Sequence, residues 1–140
     1  MLPLRLVLDT NIVVSAALKP EGLQRAVFLL AITKPARLYV SVPILSEYRT
    51  VLSRPELRIR KGLQRQLLQF VKNRAHLVTP ARIVQATLDP NDNMSLECAE
   101  EAHADYLVTG NPRHFPRFWK ATKIIHSRDF VTLVAPHLFS

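Results

Sequence analysis

The sequence predicts an α/β fold in which helices cover both faces of a mostly parallel sheet. Two observations support this prediction: short apolar runs typical of buried strands recur along the chain, and segments with helical spacing of apolar residues lie between them. With 140 residues, 48% of them hydrophobic, the chain can bury one sizeable core. We therefore expect a single domain over residues 1–140 with an α/β sandwich architecture.

Five apolar runs are the predicted strands. Each is short, rich in β-branched or large apolar residues, and bounded by polar or turn-forming residues. The first ends in a polar turn formed by Asp9, Thr10 and Asn11. The predicted strands cover residues 4–8, 37–41, 76–79, 105–109 and 123–126.

Helices are placed by the residues that start and stop them. One begins after Gly22, presents apolar residues three and four positions apart, and stops near Lys34. Pro43 suits the first turn of the next, which carries Glu47 about one turn in and ends before Pro55. The sequence therefore places Glu47 near the start of the helix that follows the second strand.

The remaining helices follow the same rules. A short helical piece over residues 55–61 is expected to break near Gly62, before another amphipathic helix. Asn91, in an Asp-Pro-Asn-Asp turn, is predicted to cap a helix running to about His103, which places Asp92 in its first turn. Ser127 is the predicted cap of a last helix over residues 128–134.

Positive charge is concentrated in one part of the chain. Lys and Arg outnumber Asp and Glu by nineteen to eleven, giving a net charge of +8, and seven of the nineteen lie between Arg54 and Arg74. Such a segment attracts phosphate backbones through counterion release. For a basic stretch alone, a solvated helical face is the better explanation, so charge supports nucleic-acid binding without establishing it.

The composition also limits the class of protein. The single cysteine, Cys98, cannot form an internal disulfide, and the five histidines show no zinc-binding spacing. The longest apolar stretches are too short to cross a bilayer, and the first residues lack the basic region of a secretory signal. We expect a cytoplasmic protein without membrane association.

Several polar side chains are expected at one edge of the sheet. In open parallel sheets, ligands bind outside the carboxyl ends of the strands. Asp9 directly follows the first strand, Glu47 and Asp92 lie early in helices, and Asn111 follows the strand 105–109. Four other acids are excluded because they precede a strand or are expected on an exposed helical face: Asp105, Glu97, Glu100 and Glu101.

The three carboxylates Asp9, Glu47 and Asp92 predict a metal site. If they converged, they would repel and raise one another's pKa unless a cation neutralised them. Oxygen ligands without a Cys or His set select Mg²⁺ or Mn²⁺, and such ions activate water for phosphodiester hydrolysis. Taken singly, each acid also has an ordinary explanation, such as helix capping or a solvent-facing position.

Four segments together resemble the PIN-domain family, and the similarity covers nearly the whole chain. The nearest branch contains the toxin components of bacterial toxin-antitoxin systems related to VapC. The segments are LVLDTNIVVSA (6–16), VPILSEYRTVLSRPEL (42–57), DPNDNMSLECA (89–99) and ADYLVTGNPRHFP (104–116). The resemblance implies a three-layer α/β/α fold with five parallel strands, an Mg²⁺ or Mn²⁺ site and endoribonuclease activity.

The resemblance assigns the family's acids to positions of this sequence. The first three fall on Asp9, Glu47 and Asp92, but the fourth, often an aspartate, falls on Asn111. An asparagine supplies no negative charge, so we expect one firmly held metal, with a second recruited by RNA. Asp89 and Asp129 are candidate substitutes for the fourth acid, although a turn role for Asp89 and a helix-start role for Asp129 explain them better.

Further residues are secondary candidates. Asn11 and Thr109 would position a water or a phosphate, although turn and strand roles explain them equally well. The expected RNA-binding residues beside the site are Arg113, His114 and Arg117. The resemblance also implies two kinds of protein partner, a cognate antitoxin and a second copy of the chain in a homodimer or higher oligomer.

Two other functions compete with the nuclease. One is an RNA-binding or regulatory module that keeps the fold while Asn111 has weakened the metal site. The other is a phosphotransfer or phosphatase domain, because a strand ending in aspartate occurs in several α/β folds. The Asp9-Thr10-Asn11 segment lacks the second aspartate of a DxD nucleophile motif.

Overall fold

The computed structural model, which describes residues 3–139, contains one six-stranded sheet. The strands are β1 (Arg5–Leu8), β2 (Arg37–Val40), β3 (His76–Leu77), β4 (Tyr106–Thr109), β5 (Phe118–Trp119) and β6 (Thr122–His126). Their order is β3-β2-β1-β4-β6-β5, and every pairing is parallel except that of β5 with β6. The mostly parallel sheet is confirmed, and the short antiparallel β5 is an addition to the five predicted strands.

Helices cover the sheet on both faces, which confirms the predicted three-layer α/β/α fold. They are α1 (Thr10–Leu18), α2 (Leu23–Ala31), α3 (Val42–Leu52), α4 (Lys61–Arg74), α5 (Pro90–Ala102) and α6 (Ser127–Val134). Helix α2 packs against α1 and α6, whereas α5 lies along β1, β2 and β4 and packs against α3. Within residues 3–139, no helix combines the length and apolar character needed to cross a bilayer.

The two central strands explain why the sheet is buried on both faces. Leu6, Val7 and Leu8 of β1 and Leu107 and Val108 of β4 are all 0% exposed. A parallel strand between two helical layers needs continuous apolar sequence rather than alternation, and these runs supply it. The two strands therefore form a rigid base whose carboxyl ends lie side by side, with Leu8 opposite Val108.

Both predicted helix caps are wrong by one or two residues. Helix α5 is capped by Asp89, whose carboxylate accepts the N–H of Asn91 at 2.9 Å, and not by Asn91. Pro90, which has no N–H, occupies the first helical position. Helix α6 is capped by His126, whose Nδ1 accepts the N–H of Arg128 at 3.1 Å, while Ser127 is already helical and fully buried.

Three other boundaries differ from those predicted. Thr10 and Asn11 form the first turn of α1 rather than a separate polar turn, and α2 ends at Ala31 rather than near Lys34. The break before α4 precedes Gly62, because Arg58 adopts a left-handed conformation with φ of 54° and ends a short 3-10 turn. Gly62 is then an ordinary helical residue.

Candidate active site

Asp9 lies at the carboxyl end of β1 with its side chain buried. Its backbone N–H donates to the carbonyl of Val108 at 3.0 Å, so the residue continues the ladder between β1 and β4. Its Oδ2 accepts a hydrogen bond from the hydroxyl of Thr109 at 2.8 Å, and that hydroxyl accepts the N–H of Asn111 at 3.0 Å. Thr109 therefore orients Asp9 from the neighbouring strand.

Asp92 is the second buried carboxylate of the site and lies in the first turn of α5. Its exposure is 7%, the same as that of Asp9. Burial, together with the nearby carboxylates of Asp9 and Asp89, raises the pKa of Asp92 to about 6. Burial also raises the pKa of Asp9, although its bond from Thr109 partly offsets this. The negative charge of Asp9 thus disfavours the ionised form of Asp92.

Glu47 is tied to this pair through an intermediate residue. It is half-buried on α3, and its Oε1 accepts a hydrogen bond from Asn91 Nδ2 at 3.1 Å. Asn91 immediately precedes Asp92, so Glu47 is anchored to the start of α5. Among residues 3–139, no group of three or more Asp, Glu, His or Cys side chains lies close enough to hold a metal ion directly.

The donor set fits a magnesium-type ion held by two side chains. Mg²⁺ is commonly bound through one or two carboxylates, with waters and substrate phosphates completing its coordination. Asp9 and Asp92 offer two buried carboxylates whose mutual repulsion a divalent cation would relieve. The residues that would hold such an ion are therefore Asp9 and Asp92, and Glu47 remains a predicted site residue.

The position of the missing fourth acid contains a pair of polar side chains. Asn111 is exposed, and its Nδ2 lies 3.0 Å from His114 Nε2. The positive form of His114 lowers the pKa of both Asp9 and Asp92, although burial outweighs this effect in each case. A histidine side chain therefore lies beside Asn111, where the family often has an aspartate.

The other secondary candidates for the site differ in their position and exposure. Asn11 is exposed in the first turn of α1, and its backbone amide lowers the pKa of Asp9. The carboxylate of Asp89 caps α5, and Asp129 is exposed in the first turn of α6. Arg113 is exposed one residue before His114, whereas Arg117, also exposed, belongs to the segment that leads into β5.

An open groove of about 900 Å³ extends from Asp92. One wall is formed by residues 85–90, which lead into α5, and the other by residues 113–116. The side chains of Arg113 and His114 belong to the second wall, so two of the three predicted RNA-binding residues border the same space as Asp92.

The prediction that the glutamates of α5 lie on an exposed helical face holds for Glu101 but is wrong for Glu97 and Glu100, which are half-buried, and all three have partners. Glu97 accepts the N–H of Val84 at 2.9 Å, and Glu101 accepts the N–H of Ala81 at 2.9 Å. Glu100 forms an ion pair with Arg82 at 3.1 Å. The segment before α5 has no strand or helix partner for its amides, so these carboxylates supply the acceptors that its backbone needs.

Tyr48 is a positioning residue that was not among the site residues predicted from the sequence. It is fully buried on α3, and its hydroxyl donates to the carbonyl of Leu8 at 2.7 Å. Burial raises the pKa of its phenol well above the usual value, with smaller contributions from Cys98 and Asp9. The neutral hydroxyl therefore fixes the peptide that leads into Asp9.

We expect Tyr48→Phe to lower the free energy of unfolding by about 1–3 kcal/mol, because the buried carbonyl of Leu8 loses its partner. Urea denaturation of the purified variant measures this change. Tyr106→Phe is the matched control, because Tyr106 is only half-buried and its hydroxyl has no hydrogen bond within residues 3–139. Equal stability changes in the two variants would contradict the role assigned to Tyr48.

Comparison with known proteins identifies the family. A family model of the PIN domain matches residues 5–113, from β1 to the turn that carries Arg113. The chain belongs to the PIN domain family. The matched region includes Asp9, Glu47, Asp92 and Asn111.

A solved structure shows the same fold. The PIN domain described here resembles a chain of VapBC2 from Rickettsia felis, a structure determined with a DNA fragment from their promoter. The match has a TM-score of 0.58 and 17% sequence identity, and it covers 88% of this chain and 98% of that one. A search of curated protein sequences gave no match. At this identity, the structural likeness is evidence of shared architecture.

Proposed function

We propose that this PIN domain is a metal-dependent endoribonuclease that hydrolyses RNA phosphodiester bonds with Mg²⁺ or Mn²⁺. The observation that supports this most is the pair of buried carboxylates, Asp9 and Asp92, at the carboxyl edge of the two central strands. Their mutual repulsion disfavours the metal-free site and favours a bound divalent cation. Membership of the PIN family agrees with a nuclease.

The bound ion would supply Lewis acidity and a water of lowered pKa. The protein's own residues then hold and orient the participants. Thr109 keeps the Asp9 carboxylate in place, and Asn91 engages one oxygen of Glu47, leaving the other for the attacking water. Arg113 and His114 lie where they would bind an RNA phosphate in the groove.

The experiment that tests the activity uses purified protein and single-stranded RNA. We expect cleavage with Mn²⁺ or Mg²⁺ and none with EDTA, and renewed cleavage when Mn²⁺ is added in excess of the chelator. Cleavage that persists unchanged in EDTA would contradict the metal-dependent mechanism. A stable phosphorylated aspartate would instead support a phosphotransfer domain.

A second function, RNA binding without cleavage, is favoured by one observation. Asn111 replaces the family's frequent fourth acid, and the described residues contain no three-ligand cluster. This alternative predicts that RNA is bound but remains intact at every divalent metal concentration. Gel analysis of RNA recovered from the complex distinguishes the two.

We also propose that the domain is the toxin component of a toxin-antitoxin system, acting in the cytoplasm with a cognate antitoxin and as a homo-oligomer. The likeness to a VapBC2 chain supports this role. Expression of the wild-type chain alone should arrest growth of a bacterial host, whereas Asp92→Asn should not. Unaffected growth at confirmed expression of soluble wild type would contradict it.

A further inference from the structure

Residues 81–88, called the strap here, form a segment of irregular backbone fixed along one face of α5. Asn93 fixes its active-site end: Oδ1 accepts the N–H and hydroxyl of Thr87, both at 2.9 Å, and Nδ2 donates to the Thr87 carbonyl at 3.2 Å. Glu97 and Glu101 hold the amides of Val84 and Ala81 farther along the helix. The strap therefore has a defined conformation without being a strand or a helix.

The wall opposite the strap is anchored to the same helix. Glu100 accepts the indole N–H of Trp119 at 3.1 Å with one oxygen and pairs with Arg82 of the strap through the other. Helix α5 thus fixes both the strap and the segment that follows residues 113–116. The groove lies between the strap and residues 113–116, and Asp92 is one of its lining residues.

The side chains that the strap offers to the groove suit a nucleobase. Leu88 is fully exposed and provides an apolar surface, and Gln85 is exposed with an amide that has no hydrogen bond within residues 3–139. An amide can donate to and accept from the edge of a base. On the opposite wall, Arg113 provides positive charge and His114 a ring nitrogen for the phosphate of the same nucleotide.

We propose that this groove is the subsite for a nucleotide next to the scissile bond, with its base against Leu88 and Gln85 and its phosphate towards Arg113. This inference rests on the proposed ribonuclease function, because Asp92 lines the groove. An extended single strand fits better than a duplex, since the base must leave its stack to contact the strap. The strap then determines which base is preferred near the cleavage site.

The test compares Leu88→Ala and Gln85→Ala with Ile83→Ala. Ile83 is a matched control because it is 84% exposed on the same strap but does not line the groove. Initial cleavage rates are measured with Mn²⁺ on single-stranded oligonucleotides that differ at one base near the cut. We expect Leu88→Ala to lower kcat/KM about tenfold and Gln85→Ala to reduce the discrimination between bases, with Ile83→Ala unchanged.

Binding measurements separate failure of this inference from failure of the proposed function. Fluorescence anisotropy with the same oligonucleotides in EDTA reports affinity in the absence of cleavage. Wild-type cleavage with identical rates and base preferences in all three variants would overturn the subsite and leave the nuclease intact. If neither the wild type nor any variant cleaves RNA, but Leu88→Ala and Gln85→Ala selectively weaken RNA binding, the groove is a nucleotide-binding site and the nuclease function is wrong.

Discussion

Asp92→Asn is expected to lower the rate of RNA cleavage about 10³-fold, more than the roughly 10- to 100-fold that loss of an outer-shell partner of a metal ligand costs. The change keeps the size of the side chain but removes one of the two charges that would hold the cation. Asp9→Asn should have a similar effect, because Asp9 is the other buried carboxylate of the pair. Single-turnover cleavage at saturating Mn²⁺ measures both.

Asp129→Asn is the matched control for these variants. Asp129 also lies in the first turn of a helix, but it is exposed and belongs to α6. We expect its cleavage rate to equal that of the wild type. If Asp92→Asn or Asp9→Asn also cleaved at the wild-type rate, the acid pair would not be the active site.

The same Asp92→Asn change is expected to stabilise the metal-free protein at pH 7 by roughly 1–2 kcal/mol, allowing for solvent screening. In the folded protein burial and the neighbouring carboxylates raise the pKa of Asp92 to about 6, from 3.8 for an unperturbed aspartate. Ionised Asp92 therefore opposes folding at pH 7, and the neutral amide removes this cost. Urea denaturation in EDTA measures the difference.

The raised pKa of Asp92 also makes the free energy of unfolding depend on pH. Between pH 3.8 and about 6, the folded protein binds more protons than the unfolded chain, so this residue makes the free energy of unfolding fall as the pH rises. Asp92→Asn should remove its part of that slope. A variant less stable than wild type in EDTA at pH 7, with an unchanged slope, would contradict the assigned repulsion.

Bound Mn²⁺ should make the wild type more stable than Asp92→Asn, the reverse of the order expected in EDTA. A ligand that binds only the folded state stabilises it by about 2.7 kcal/mol at a free concentration of 100 times Kd. We expect Mn²⁺ to raise the free energy of unfolding of the wild type and to have little effect on Asp92→Asn. The two buried carboxylates thus lower the stability of the folded protein when no cation is bound.

The sequence was sufficient to predict where Asp9 and Asp92 lie in the fold. Apolar runs identify β1 and β4 because both strands are buried on two faces, and a polar residue directly after such a run must lie at the carboxyl edge. This placed Asp9 correctly, and the first-turn position of Asp92 follows from the Asp-Pro-Asn-Asp turn. Local sequence determines both positions.

Contacts that depend on the path of an irregular segment could not be predicted. Glu97 and Glu101 accept hydrogen bonds from backbone amides of the strap. Every residue other than proline has a backbone amide, so the side chains of the strap give no sign in the sequence that it lies beside these glutamates. The Asn91 side chain was likewise assigned to a cap, although Asp89 performs that role and Asn91 contacts Glu47. The contact between Glu47 and Asn91 depends on how α3 packs against α5.

The central claim is that Asp9 and Asp92 form a divalent-cation site, and a crystal soaked in Mn²⁺ tests it most directly. Anomalous scattering would locate each ion and its ligands, including any contact with Glu47 or Asn111. We predict one Mn²⁺ bound by the carboxylates of Asp9 and Asp92, and none at that position in Asp92→Asn crystals. The absence of Mn²⁺ between the two aspartates of the wild type at saturating metal would contradict this account.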